Sequence, residues 1–285
     1  MPTKSATPQA AIDFGISNTD AVVRRNGAWQ RWTHSYIGKP DAAVVRAALA
    51  EGGVALDDLE MLAVTGGSHR LLPAQIGATR LVAVNEVPAI GRGGQAALPD
   101  VSRRTRILVV SAGSGTAVIS AQGRTYRHIT GAGVGGGTLL GLGRRLLNTV
   151  DPGEIDRLAL AGNANAVDLS LGDVVTGPIG TLPASATAVN FGRLAHEDID
   201  ASRADLAAAL VTLIGQVIGL LAVAAANALL RCKQIVVIGH MTDMASLRNV
   251  IGLVSQYYAT PIHLPENAGY YTAIGALEMA LSDKA

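Results

Sequence analysis

Cysteine is almost missing from the sequence, since Cys232 is the single one among 285 residues. A disulfide framework within one chain is therefore excluded, and so is a zinc or iron–sulfur site built only from cysteines of one chain. Such low cysteine usage is typical of proteins in a reducing compartment, and we expect a cytoplasmic location.

Charge of either sign is also scarce. Charged residues make up 16% of the chain and hydrophobic residues 49%, which excludes a disordered or acidic-tail protein. The 23 basic and 22 acidic residues leave a net charge of +1, so no overall positive field exists to hold nucleic acid. The first residues, MPTKSATPQAA, lack the apolar core of a secretion signal, and we expect no export.

One long run, between Asp205 and Arg231, has no charged residue at all. Such a run is long enough to span a bilayer. It is rich in Ala rather than Leu or Phe, no Trp or Tyr flanks it, and Gln216 near its middle would be costly in lipid. We therefore expect a long buried helix between lobes or at a subunit interface and no membrane contact, with a membrane span as the alternative.

Aromatic residues are rare and glycine is abundant. Phe, Trp and Tyr together make up 4% of the chain, whereas Gly occurs 33 times. Such a chain must fill its core with Ala, Val, Leu and Ile. Glycine is needed where backbone comes close to another group, which could be a neighbouring strand or a phosphate.

The order of the apolar runs predicts two similar units, each a hairpin with a third strand followed by alternating helices and strands. In the first unit we expect strands at 10–14, 20–25, 28–35, 60–64 and 80–84, and helices at 41–50 and from Asn85 to Ala97. In the second unit we expect strands at 105–110, 116–120, 124–129, 234–238 and 261–263, and helices at 138–148, 151–161, 203–230, 243–257 and from Gly269. The repeat indicates an internal duplication, with two α/β lobes, residues 9–102 and 103–285, facing each other across a cleft.

Two polar turns occupy equivalent positions in these units. The first follows Asp13, which ends a buried strand, and the second is SAGSGT at 111–116. An Asp in that place can hold a hydrated magnesium ion, and N–H groups of a turn can meet phosphate oxygens. Either turn alone could be an ordinary hairpin turn. Two of them facing each other would clamp a polyphosphate from opposite lobes.

Three further features are candidates for chemistry. The glycine run at 131–137 contains G-x-G-x-x-G, but it follows a hairpin strand, so an anion-binding helix N-terminus fits it better than a dinucleotide fingerprint. Glu86, in the first turn of a helix capped by Asn85, could accept the proton of a hydroxyl or could merely favour the helix dipole. Gly239, where a strand meets a helix, either contacts adenosine through its backbone or only forms a tight connection.

The six histidines show no metal-ligand spacing, and we expect most on the surface or hydrogen-bonded in the core.

Five segments, taken in order, resemble the type II (eukaryotic-like) pantothenate kinases, within the superfamily of actin-like ATPases and sugar kinases. They are NEVPAIGRGG (85–94), SAGSGTAV (111–118), TGAGVGGGTLLGLG (130–143), PIGTLPASATAVNFG (178–192) and ENAGYYTAIGALE (266–278). The resemblance implies an α/β fold of two duplicated actin-like, ribonuclease-H-like lobes around an ATP cleft. It also implies phosphorylation of a primary hydroxyl of pantothenate or a similar small molecule in coenzyme A biosynthesis, with ATP and Mg²⁺, by a homodimer formed through residues 205–230.

The resemblance also assigns roles to residues. It makes Glu86 the catalytic base and Asp13 a metal ligand. Binding of the nucleotide falls to two phosphate segments, a glycine run and an adenosine segment, which comprise Asp13, Gly15 and Ser17, then Ser111, Gly113, Ser114, Gly115 and Thr116, then Gly135, Gly136 and Gly137, and finally Gly239.

The sequence departs from the family pattern in its first phosphate segment, which usually reads Asp-x-Gly-Gly-Thr with a Lys three residues later. Ile16, Ser17 and Asp20 stand at the last three of these positions. An anion replaces a cation beside the expected triphosphate, which should weaken ATP binding unless Arg24, Arg25 or another residue compensates.

A second departure concerns the acceptor. The family places an Arg for the pantothenate carboxylate before its glycine run, and His128 stands there, with Tyr126 and Arg127 beside it as further acceptor contacts. A histidine is a poor substitute for a bidentate guanidinium, so either the acceptor lacks the carboxylate or Arg127 takes over.

Two other functions stay open. One is a non-catalytic relative that binds nucleotide or an acyl-cofactor. The other is an activator ATPase for a dehydratase, which needs a cluster bridged by cysteines of two subunits and is disfavoured by the single Cys232.

Overall fold

The computed structural model describes residues 7–34, 38–175, 177–196, 199–228 and 232–282.

The first hundred residues build a six-stranded sheet. The strands are β1 (Gln9–Phe14), β2 (Thr19–Arg25), β3 (Ala28–His34), β4 (Met61–Thr65), β5 (Gln75–Ile76) and β6 (Thr79–Ala83), and the helices are α1 (Ala42–Glu51) and α2 (Glu86–Ala96). The strand order is β3-β2-β1-β4-β6-β5. The first three strands are antiparallel, whereas β4 runs parallel to β1, and β6 parallel to β4.

The rest of the chain builds a second, four-stranded sheet and most of the helices. Its elements in chain order are β7 (Ile107–Ala112), β8 (Thr116–Gln122), β9 (Thr125–Ala132), α3 (Gly136–Leu146), α4 (Pro152–Ala161), β10 (Leu169–Ser170), α5 (Leu171–Val175), β11 (Thr187–Val189), α6 (Gly192–His196), α7 (Arg203–Ala228), β12 (Ile235–Ile238), α8 (Ala245–Tyr257) and α9 (Tyr271–Ser282). The strand order is β12-β7-β8-β9, with β12 parallel to β7. Strands β10 and β11 form a separate two-stranded sheet.

The two larger sheets repeat one pattern, as the apolar runs predict. In each, three antiparallel strands are followed, beside the first strand, by a parallel one: β4 beside β1, and β12 beside β7. Strand β1 therefore ends at Phe14 in the position where β7 ends at Ala112. The two polar turns follow these ends and face each other.

A few predicted boundaries differ from the observed ones. The strand predicted at 261–263 is a single bridge between His263 and Val236, because the chain there meets the edge of β12 over one residue pair. Residue 35 of the third strand, residues 229–230 of the long helix, and residues 1–6 and 283–285 lie outside the described residues.

The segment from 163 to 192 carries elements that the apolar pattern does not predict. Its organising group is Asp168, which is fully buried and accepts hydrogen bonds from the Phe191 N–H at 2.7 Å and from the Thr187 hydroxyl at 3.2 Å. A single buried carboxylate thus holds β11 and the following turn, since β10 and β11 are too short to bury an apolar face.

Helix α7 forms the centre of the second lobe's core. By length and composition it could cross a membrane, with a mean hydropathy of 2.4, but 61% of its most apolar window is buried inside the protein. Gly215 and Gly219 let the side chains of Val250 and Val254 on α8 approach closely. This is the burial of a core helix, and it supports the expected packing rather than the membrane alternative.

Helices α2 and α9 lie against each other between the two sheets. Ala273, Ile274 and Leu277 of α9 pack on the first sheet, whereas Ile90 of α2 and Ala97, which directly follows α2, pack on the second. The last helix of the chain thus completes the first lobe's core, and the division at residues 102 and 103 stays a prediction. Arg92 and Glu278 form a largely buried ion pair between the two helices.

Glycine makes the crossing of α2 and α9 possible. A methyl group on Gly275 would overlap the carbonyl oxygen of Ala89, and one on Gly93 would overlap the carbonyl oxygen of Tyr271. Three glycines in an eleven-residue helix lower its intrinsic propensity, so close packing must be the reason for them.

We predict that Gly275→Ala destabilises the protein by about 3 kcal/mol, because the overlap is with rigid backbone on both sides. The matched control is Gly252→Ala on α8, where an added methyl group meets nothing within 4 Å. The control should be neutral or more stable by up to about 1 kcal/mol. Urea unfolding followed by circular dichroism measures both, and equal stabilities would contradict the packing described here.

Candidate functional site

A cleft of about 530 Å³ opens between the two polar turns. It is lined by strand ends, by the start of α2 and by the segment after β12. The predicted site residues among its lining are Asp13, Gly15, Ser17, Glu86, Ser111, Gly113, Ser114, Gly115, Thr116, Gly136 and Gly239. The fold therefore brings most of the predicted site together, although the residues come from positions more than two hundred apart in the chain.

Asp13 lies near the end of β1, at the floor of the cleft. Its register partners are Asp20 on β2 and Thr65 on β4. Gly66, with φ of +90°, leaves room for the Asp13 carboxylate, which any side chain there would displace. Burial, together with the nearby charges of Asp20 and Glu86, raises the pKa of Asp13 to about 8. Burial is therefore the main reason that this carboxyl group keeps its proton, and the two neighbouring acids add to it.

The glycine run at the start of α3 holds the second turn. The N–H of Gly136 donates to the Gly113 carbonyl at 2.8 Å, and that of Gly137 to the Ser114 carbonyl at 2.9 Å. A methyl group on Gly135 would come within 2.8 Å of the Gly113 carbonyl oxygen. These two N–H groups thus position the turn and do not point freely at an anion. Because β9, before the run, pairs antiparallel with β8, the βαβ setting of a dinucleotide fingerprint is absent.

The two turns touch each other across the cleft. The Ser17 hydroxyl lies 2.7 Å from the Ser114 hydroxyl, between residues of the first and second lobes. Thr116, also predicted for phosphate, instead donates its hydroxyl to the Val134 carbonyl at 2.7 Å and fixes the base of the second turn. Ile16 at the tip of the first turn is 77% exposed and lines the cleft mouth.

Glu86 begins α2 and projects into the cleft as an exposed side chain. Asn85 occupies the N-cap position as predicted, but its side chain makes no capping bond. Its Oδ1 atom accepts instead from the Arg70 guanidinium at 2.8 Å. The Asn85 side chain therefore ties the start of α2 to Arg70 instead of capping the helix.

A chain of charged groups that the sequence does not reveal crosses the cleft at His240. The Nε2 atom of His240 lies 2.9 Å from Asp20 Oδ1, and its Nδ1 atom lies 2.6 Å from Asp243 Oδ2. Burial alone would lower the pKa of His240, but the hydrogen bonds to Asp20 and Asp243 and their charges outweigh it and raise that pKa to about 10. His240 is thus a cation in the cleft wall. Asp20 and His240 are 220 positions apart, and the only sequence signal is an Asp directly before the apolar residues 21–23 of a strand.

Gly239 makes the turn that places His240. Its φ of +109° is open to glycine, and a side chain there would overlap the carbonyl of Ala112 at the end of β7. Next to it, apolar side chains form one end of the cleft. They are Leu139, Leu140, Pro152, Met241 and Met244. Such a surface suits a flat aromatic ring.

The predicted acceptor residues on β9 are not among the described residues that line the cleft. The Tyr126 ring packs on Gly91 of α2, and its hydroxyl donates to Gln95 Oε1 at 3.3 Å. Burial raises the pKa of the Tyr126 hydroxyl. Arg127 and His128 are exposed on the strand. The assignment of these three residues to the acceptor stays a prediction without support from their positions.

Arg24 and Arg25, the expected compensating cations, also point elsewhere. Arg24 donates to Gln9 Oε1 at 2.7 Å and lies over the Trp29 ring, and Arg25 donates to the Gly53 carbonyl at 3.3 Å. The cation that pairs with Asp20 is instead His240.

Comparison with known proteins identifies the family. A family model described as Fumble matches residues 96–279, which is more than half of the chain. The chain belongs to the Fumble family. Among curated proteins, a type II pantothenate kinase of Bacillus cereus strain G9842 is 29% identical over 223 residues, covering 77% of this chain and 81% of that protein. The resemblance found from the sequence motifs is thereby confirmed.

Solved structures of other proteins have the same fold as this chain. The activator of the 2-hydroxyisocaproyl-CoA dehydratase from Clostridium difficile with bound ADPNP matches with a TM-score of 0.64 at 15% identity, over 97% of both chains. An ROK family glucokinase from Streptomyces griseus in complex with glucose and AMPPNP matches with a TM-score of 0.57 at 13% identity, over 96% of this chain and 99% of that one. The predicted fold class, two duplicated actin-like α/β lobes, is confirmed.

The raised pKa of Asp13 predicts a pH-dependent cost to folding. The folded protein keeps a proton on Asp13 that the unfolded chain releases above its ordinary value near 3.8, so stability falls as the pH rises from about 4 to about 8. Asp13→Asn removes this decline. In chelator-treated protein the variant should exceed the wild type by about 2 kcal/mol at pH 9 and by much less at pH 5. Urea unfolding at both pH values measures this, and an equal difference at pH 5 and pH 9 would contradict it.

Proposed function

We propose that this protein is an ATP-dependent kinase that phosphorylates the primary hydroxyl of pantothenate or a pantothenate-like small molecule, a step of coenzyme A biosynthesis. The observation that carries the proposal is the position of Glu86, which faces both polar turns across one cleft in a chain of the Fumble family. The type II pantothenate kinases that it resembles match it over about four fifths of their length.

Glu86 acts as the general base in this proposal. Its carboxylate stands free in the cleft at the N-terminus of a well-anchored helix, where it can accept the proton of an acceptor hydroxyl as that oxygen attacks a phosphoryl group. Ile90, one turn further along α2, lines the same wall and gives the carbon chain of an acceptor an apolar contact.

The two turns hold the triphosphate. Backbone N–H groups of residues 15–18 and of Ser114 and Gly115, with the hydroxyls of Ser17, Ser111 and Ser114, offer donors from both lobes. The hydrogen bond between Ser17 and Ser114 breaks as phosphate oxygens take its place. The apolar end near Met241 and Leu139 receives the adenine ring, and both structural neighbours quoted above contain a bound adenine-nucleotide analogue.

A magnesium ion fits the oxygen donors beside the first turn. Burial, with the charges of Asp20 and Glu86, raises the pKa of the Asp13 carboxyl group, so a cation beside it would stabilise its ionised form. The buried Thr65 hydroxyl next to it has no partner within the described structure. Mg²⁺ keeps several waters and binds through one or two carboxylates plus phosphate, so Asp13 is sufficient as the protein ligand. When bound, the ion neutralises charge on the phosphates.

The charge of the cleft favours a second candidate, a non-catalytic relative that binds nucleotide or an acyl-cofactor. Among the described lining residues none is Lys or Arg, and Ile16 covers the first turn. Isothermal calorimetry separates the candidates. Binding of ATP with Mg²⁺ below millimolar concentration favours the kinase, whereas retained binding of a coenzyme A thioester without ATP binding favours the relative.

His128 and Arg127 lie outside the described lining of the cleft, so neither contacts an acceptor bound there. A panel of pantothenate, pantetheine and simple sugars tests it by ADP release. Turnover of pantetheine but not pantothenate would indicate an acceptor without the carboxylate.

We also propose that the protein is a cytoplasmic homodimer formed through α7. Leu220 on α7 and Leu253 on α8 are exposed, at 39% and 46%. The two helices pack on each other through Gly215 and Gly219 of α7. Leu220 and Leu253 form the apolar strip of this helix pair, and a second copy of the same strip would cover it.

We predict that Glu86→Gln lowers kcat by about a thousandfold, because an amide cannot take the proton, while the dissociation constant for ATP with Mg²⁺ stays within about threefold. The control is Glu266→Gln, whose carboxylate is 88% exposed and lies outside the cleft lining. Turnover by Glu86→Gln at the wild-type rate would refute the assigned base, and no turnover by the wild type with any acceptor would refute the kinase.

We predict that Leu220→Glu converts the homodimer to a monomer, since a charge in the paired strip would be desolvated. Sedimentation equilibrium measures the mass. The control, Leu71→Glu, changes a side chain that is 58% exposed on the first lobe and should leave the dimer intact. A monomeric wild type would contradict the assembly.

A further inference from the structure

We propose that Asp20 and His240 are positioning residues for the nucleotide, because their ion pair fixes the first turn against the segment after β12. This inference rests on the proposed function, in which these two parts lie at opposite sides of the same nucleotide. Neither residue belongs to the assigned phosphate or base machinery, and both line the cleft.

Hydrogen-bond chemistry alone makes the imidazole a cation. Each ring nitrogen of His240 lies within 2.9 Å of a carboxylate oxygen. An ionised carboxylate only accepts hydrogen bonds, so both nitrogens must carry protons. The pair with Asp20 crosses between the lobes, whereas the pair with Asp243 stays within three residues of the same segment.

The imidazole cannot turn away from Asp20 without losing its packing. Any side chain at Gly269 would overlap the ring, and the Tyr270 ring meets it edge-on at 5.2 Å between centroids. The Tyr270 hydroxyl lies 3.3 Å from the Thr33 hydroxyl, which donates to Asp20 Oδ1 at 2.7 Å. Both ends of the pair are therefore held by the same small set of contacts.

Separation of the lobes would leave Asp20 without its cation. The residue is 5% exposed, so its carboxylate depends on His240 and Thr33 for hydrogen bonds. An unpaired buried charge is costly, so the pair holds the lobes at one separation. Asp20 is the second residue of β2 and lies two residues after the first turn, and Met241 of the apolar end follows His240 directly. The separation that the pair sets is thus the span available to the nucleotide.

Calorimetry with ADP and Mg²⁺ on the full chain tests the inference without requiring turnover. Asp20→Asn and His240→Gln should each weaken ADP binding about tenfold, and the double variant should be no weaker than either single one. The matched control, Asp243→Asn, removes a carboxylate from the same imidazole but keeps the contact between lobes, and it should stay within about twofold of the wild type. In kinase assays, Asp20→Asn and His240→Gln should each raise KM for ATP about as much as they weaken ADP binding. Both should leave kcat and the KM for the acceptor within about twofold of the wild type.

A second measurement distinguishes local loss of the ion pair from misfolding of the variants. In nucleotide-free protein, amide hydrogen exchange in β2 and in residues 239–243 should rise about tenfold in both variants, with exchange in α7 unchanged. Wild-type affinity in both variants, additive losses in the double variant, or an equal loss in Asp243→Asn would each overturn the positioning role. Failure of the wild type to bind nucleotide would overturn the proposed function and the nucleotide role together, which is a distinct result.

Discussion

The close contact of α2 with α9 is the constraint on which the rest of the structure depends. Gly93 of α2 and Gly275 of α9 let the two backbones meet, while Gly91 and Gly94 of α2 let Tyr126 and Val109 of the second lobe press on its other side. A helix held on two faces has a fixed N-terminus, and Glu86 stands there. The abundance of glycine and the scarcity of aromatic rings thus have a structural cause besides phosphate turns, because bulky side chains would separate the helices and move the candidate base.

The electrostatics of the cleft follow from this assembly. Asp13, Asp20 and Glu86 all come from the first lobe, and the described cleft lining contains no Lys or Arg to balance them. The raised pKa of Asp13 is the direct consequence of burial and of those neighbours. His240, contributed by the second lobe, supplies one positive charge, which pairs with Asp20. This distribution of charge is consistent with the magnesium ion that we propose for the cleft.

Local patterns predict the longer strands and most helices, because alternating and 3.6-residue periods report which faces are buried. The short strands β5, β10 and β11 are not predicted in this way. Asp13, Glu86 and Ser111 were likewise predicted, since each stands at the end of an apolar strand or the start of a helix. Contacts over long sequence separations were not predictable in this way. Asp20 and His240 meet only through the fold, the last helix completes the first lobe, and Asp168 organises a segment without apolar period. The glycine run at 131–137 predicts an anion-binding helix N-terminus, whereas the N–H groups of Gly136 and Gly137 bind the second turn.

The most direct test of this account is a crystal structure with a non-hydrolysable ATP analogue, Mg²⁺ and pantothenate. The account predicts phosphates between residues 15–18 and 113–115, the metal at Asp13, the adenine ring near Met241, and the acceptor's primary hydroxyl within hydrogen-bond distance of Glu86. A nucleotide bound elsewhere, or a hydroxyl on the far side of the cleft from Glu86, would contradict it.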